Sequence, residues 1–130
     1  MFGCVSQDEM QFQAGSGDVG QFILQQATTY GGKPKTTNDL PIIKSEWQFS
    51  KDQYGVVIRL SRDKYEPIEK LLLLAFGKPR FGPSETVDGG QLGGYSLTPQ
   101  GGAILFGYEA KITQIIIARQ LPKEETLKLY

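Results

Sequence analysis

From Glu46 to Leu60 the chain alternates: Trp47 and Phe49 are separated by polar neighbours, and Tyr54, Val56, Ile58 and Leu60 repeat the same two-residue step after the polar stretch Lys51-Asp52-Gln53. Successive side chains of a strand point to opposite faces, so this spacing predicts two half-buried strands joined as a hairpin. A similar arrangement returns as Tyr95-Ser96-Leu97, a turn containing Thr98-Pro99-Gln100-Gly101-Gly102, and the apolar run Ala103-Ile104-Leu105-Phe106. Lys111 to Arg119, with Ile112 and the consecutive Ile115, Ile116 and Ile117, predicts one more strand after a turn at Tyr108 to Ala110. Consecutive β-branched residues suit a strand that is covered on both faces or sits centrally in its sheet.

Two other stretches change period. Val19, Phe22, Ile23, Ala27 and Tyr30 recur at three- and four-residue steps, which predicts a helix capped by Ser16 or Asp18 and stopped by Gly31-Gly32 and Pro34. Ile68, Leu71, Leu72, Ala75 and Phe76 define a second helical stripe, with Asp63 as cap, Glu66 in the capping-box position and Pro67 in the first turn. Leu73 and Leu74 widen that stripe until only the strip near Glu69 and Lys70 stays polar. Such a helix needs cover on more than one side, from its own domain or from a dimer or partner interface.

The ends of both helices share an order of residue types: Tyr30-Gly31-Gly32-Lys33-Pro34-Lys35 against Phe76-Gly77-Lys78-Pro79-Arg80. The reading is therefore an α+β fold made of two tandem helix-strand-strand units, about 18–61 and 63–118, in one antiparallel sheet with both helices packed on one face. Residues 1–17 read as a polar tether, 18–120 as one domain, and 121–130 as a tail or short helix. The glycine-rich stretch from Arg80 to Gly94 reads as a flexible loop. Its glycines precede a strand and no helix amino terminus, which is the wrong context for a phosphate cradle.

Composition narrows the chemistry. At 130 residues and 39% hydrophobic content the chain can bury one sizeable core, and Lys+Arg and Asp+Glu balance at 14 each, so no net field draws in a polyanion. There is no histidine, hence no imidazole base or ligand, and the single cysteine, Cys4, can form neither an internal disulfide nor a thiolate cluster. No nucleophile with its base can be assembled, so the expectation is a protein that is not an enzyme and holds no cofactor and no metal. Fourteen acids make some carboxylate pair unavoidable, but Asp52, Asp63, Glu66 and Glu69 all have ordinary turn, cap or helix-surface positions.

Helix, Gly-x-Pro stop, a short loop and Trp-x-aromatic opening a hairpin resembles the module of small bacterial outer-membrane assembly lipoproteins, and the same unit in tandem is similar to the β-lactamase inhibitor protein fold. The carrying residues are Gly32-Lys33-Pro34 with Trp47 and Phe49, then Gly77-Lys78-Pro79 with Tyr95 and Leu97; the second copy lacks the tryptophan. Phe2-Gly3-Cys4-Val5-Ser6 also looks like the end of a lipoprotein signal, although the apolar segment that should precede it is missing. Cys4 is thus a lipidation candidate or a free surface thiol. Lipidation would place the chain in a bacterial envelope and on a membrane; otherwise a cytoplasmic location is expected. The resemblance implies a sheet that binds another protein, with Trp47, Tyr54 and Tyr95 as candidate anchors and a homodimer as one form of partner. The alternative is a saddle-like nucleic-acid binder using Lys33, Lys35, Lys44, Arg59 and Arg80, although the balance of charge favours a protein partner and no nucleic acid.

Overall fold

Asp18 is where the first helix and the sheet are joined. Its backbone is extended, and its carboxylate accepts from Gly20 N–H (3.0 Å) and from Ile43 N–H (3.1 Å), while Val19 N–H donates to Ile43 C=O (2.9 Å). One acid thus ends a strand, caps a helix and fixes the chain entering the next strand. The computed structural model describes residues 11–97 and 101–120. Along these the order is β1 (Gln13–Asp18), α1 (Val19–Thr29), β2 (Lys44–Lys51), β3 (Gly55–Ser61), a 3₁₀ turn (Arg62–Lys64), α2 (Tyr65–Phe76), β4 (Phe81–Glu85), β5 (Gln91–Ser96), β6 (Ala103–Glu109) and β7 (Ile112–Ala118).

Among the described residues the fold is mixed α+β, with two α-helices and one seven-stranded antiparallel sheet in the order β1-β2-β3-β7-β6-β5-β4. Val56, Ile58 and Leu60 of β3, Ile104 and Phe106 of β6, and Ile115 and Ile117 of β7 alternate onto one face and are buried. They form a single cluster with Val19, Ile23 and Ala27 of α1 and Ile68, Leu71 and Leu72 of α2. Both helices therefore cover the same face. The three consecutive isoleucines belong to a central strand, as their β-branching predicts.

Several expectations need correction. From Gln13 onward the supposed tether is edge strand β1, because Gly15 offers no side chain and the Trp47 indole lies over it; a Cβ there would collide with the ring. The glycine-rich loop is β4, a turn at residues 86–90 and β5. Gly94 is open for the same reason, since the Phe81 ring occupies the place of its missing side chain. Glycine is a weak strand former by itself, but beneath a cross-strand aromatic it lets the ring lie flat on the sheet. Asp63 does not cap α2: it accepts from Ser61 Oγ, and the 3₁₀ turn satisfies Tyr65 N–H through Arg62 C=O.

The sheet is also larger than two strand pairs. The hairpins matched in sequence, β2–β3 and β5–β6, flank β7 from opposite sides, with β3 and β6 running parallel. No rotation that keeps both helices on one face superposes hairpins placed in that mirrored order. Cys4 and the segment 121–130 lie outside the described residues.

Candidate protein-contact face

The face away from the helices carries side chains of the other parity. Val57 stands opposite Ile116, which stands opposite Leu105, which stands opposite Gly94 with the Phe81 ring upon it. The next rung runs Arg59, Gln114, Gly107, Leu92. Gly107 contributes only backbone, so the rungs leave a hollow of about 730 Å³ between Leu92, Leu105, Ile112, Ile116 and Arg59. Leu92 is 39% and Ile112 49% exposed, large values for apolar residues on a sheet whose other face is dry.

Arg59 is held in this hollow by two neutral groups. Its Nε donates to Gln114 Oε1 (2.9 Å), and its guanidinium lies over the Phe12 ring at 4.7 Å. Among the described residues no carboxylate pairs with it. Its remaining N–H donors and its charge are therefore presented, already oriented, to whatever enters.

The anchors read from sequence are not brought together. Trp47 is buried (8% exposed) against Phe22 at 5.0 Å between ring centroids, and Tyr95 is buried (6%) on the helix side. Their alternation marked the core, so neither reaches the face away from the helices. Tyr54 is exposed at the β2–β3 turn, where Arg119 approaches its ring at 5.7 Å; it is open to a partner but outside the hollow. Of the five basic residues proposed for nucleic acid, Lys33 and Lys35 lie between α1 and β2, Lys44 starts β2 and Arg80 precedes β4, leaving only Arg59 in the hollow.

The acids hold local structure. Asp52 accepts from Tyr54 N–H (2.7 Å) and Gly55 N–H (3.2 Å) in the hairpin turn, and Glu66 pairs with Arg62 at 3.1 Å. Among the described residues no cluster of three or more His, Cys, Asp or Glu is placed to hold a metal, and no helix is long and apolar enough to cross a membrane.

Sequence reasoning missed Val57, Leu92, Leu105, Ile112 and Ile116 as contact candidates. Apolar residues at both parities in Ala103–Phe106 and in Ile115–Ile117 were the available signal, since two helices on one face cannot cover both. The class defined by fold and surface is an antiparallel-sheet α+β protein with one helix-covered face and one partly apolar face that no helix covers among the described residues. Searches with family models, among curated proteins and among solved structures found no match for the chain.

Proposed function

We propose that the protein is a non-catalytic protein-binding module that works through the bare face of its sheet. The observation that carries this is the hollow itself, an apolar patch with an oriented Arg59 at its β3 side that no carboxylate among the described residues pairs with. The occupant it fits is a segment of another protein bearing apolar side chains and one carboxylate, the charge that complements Arg59. Each half of the chain contributes a helix, a Gly-Lys-Pro stop and an aromatic hairpin to the sheet, in keeping with tandem units 18–61 and 63–118; the mirrored hairpin order weighs against a simple duplication. Placement in a bacterial envelope rests on Gly3-Cys4 and is tested by metabolic labelling of Cys4 with a fatty acid.

The experiment is photocross-linking from position 105, followed by charge reversal. A protein cross-linked there should lose binding to Leu105→Asp and to Arg59→Glu, and a lysine at its contacting acid should restore binding to Arg59→Glu. If no protein cross-links, or if Leu105→Asp binds the cross-linked protein as well as the wild type does, the reading fails. Cross-linking only to a second copy of the chain would identify a homodimer. Retardation of nucleic acid at low salt, lost in Arg59→Glu, would favour the saddle-like alternative.

A further inference from the structure

A second cavity lies on the helix side, apart from the bare face. It measures about 270 Å³. Tyr65, Glu69 and Leu73, spaced four residues apart along α2, form one wall. Tyr95 and Phe106 form the floor, and Pro83 closes the far side.

The polar contents of this cleft have one sign. Tyr65 Oη lies 3.5 Å from Glu69 Oε2. Among the described residues Glu69 has no ion-pair partner; Arg62, seven residues earlier and lying over the Tyr65 ring at 5.2 Å, is bound to Glu66 at 3.1 Å. Burial first, and the Glu69 charge second, push the Tyr65 and Tyr95 phenols up to about 12. At neutral pH both phenols are uncharged, so the cleft holds a single negative charge among rings and apolar walls. We propose that it binds a small organic cation, an ammonium group on an apolar stem, with Glu69 as the counter-charge. The carboxylate accepts from or pairs with the ammonium, the phenol oxygens lie beside it, and the aromatic and proline surfaces take the stem out of water. A free amine and the lysine side chain of a docked protein share this chemistry.

The test is a nuclear magnetic resonance titration of the full chain with choline and with its uncharged isostere, in which carbon replaces nitrogen. Choline should shift the amides of Glu69, Leu73, Gly93 and Tyr95 saturably, and the isostere should bind at least about tenfold more weakly. Glu69→Gln should weaken choline by about tenfold while the spectrum stays dispersed. Leu73→Lys, at an exposed helix position, should abolish binding by setting its own ammonium one turn from Glu69. A capped lysine derivative binding more tightly than choline would point to a partner's side chain as the source, and the reverse order to a free ligand; either supports the site. Equal binding of choline and its isostere, unchanged binding in Glu69→Gln, or no shift at those amides at tens of millimolar choline would overturn the proposal.

Discussion

Replacing Asp18 with alanine removes the acceptor for both Gly20 N–H and Ile43 N–H, so α1 loses its cap and the entry to β2 loses its tie. The expected cost is about 1–2 kcal/mol, measured by urea unfolding, with Asp18→Asn much milder because it keeps an oxygen acceptor. Gly15→Ala should cost about 1–3 kcal/mol, because the new methyl must displace the Trp47 ring. Trp47 is the single tryptophan, so a red shift of its emission reports that displacement directly. Tyr65 and Tyr95 supply a pH signature. Their phenols are pushed up to about 12 against an ordinary 10, so from pH 10 to 12 the unfolded chain releases protons that the folded chain keeps. Their contribution to stability is complete below pH 10 and is lost as pH rises towards 12. Alkaline titration of tyrosinate absorbance beside circular dichroism should show late-ionising phenols and falling stability over that window. All six tyrosines ionising together near pH 10 with the fold intact would contradict it.

At the scale of elements, α2 is the sharpest case. Its leucines all look alike in sequence, yet Leu71 and Leu72 are fully buried while Leu73 and Leu74 are 43% and 44% exposed. Leu71→Ala should therefore cost about 2–5 kcal/mol, whereas Leu74→Ala should stay within about 0.5 kcal/mol. Comparison of their urea midpoints separates core from surface within one helix. The period of the stripe located α2 correctly, and it ends at Gly77, whose positive φ of 82° needs no Cβ. What the period could not show is how far round the helix the sheet reaches. The glycine-rich β4 and β5 were illegible for a different reason: Gly94 is held between β4 and β6, with the Phe81 ring where its side chain would be, and neither partner is visible in its local sequence. A strand stabilised by a ring from its neighbour has no local signature.

For the whole molecule, the sheet is made asymmetric by two helices on one side. The other side then keeps a patch in which Leu92 and Ile112 are exposed and Val57, Leu105 and Ile116 are part-buried, with Arg59 at its β3 side, and Leu105→Asp tests its role. Because Leu105 is part-buried, Leu105→Asp should lower the free energy of unfolding by about 1–3 kcal/mol and leave the chain folded, and loss of the folded state would mean that the residue serves the core. The sequence alone determined both helices, the β2–β3 hairpin, the central isoleucine strand and the absence of imidazole chemistry, because periodicity, caps, helix stops and composition are local properties. The tertiary structure alone decided that Trp47 and Tyr95 are core, that Gly15 and Gly94 lie in strands, and which apolar residues no helix covers among the described residues. Each of those depends on which distant segment arrives to cover a face, and an alternating strand has the same pattern whichever of its sides is covered.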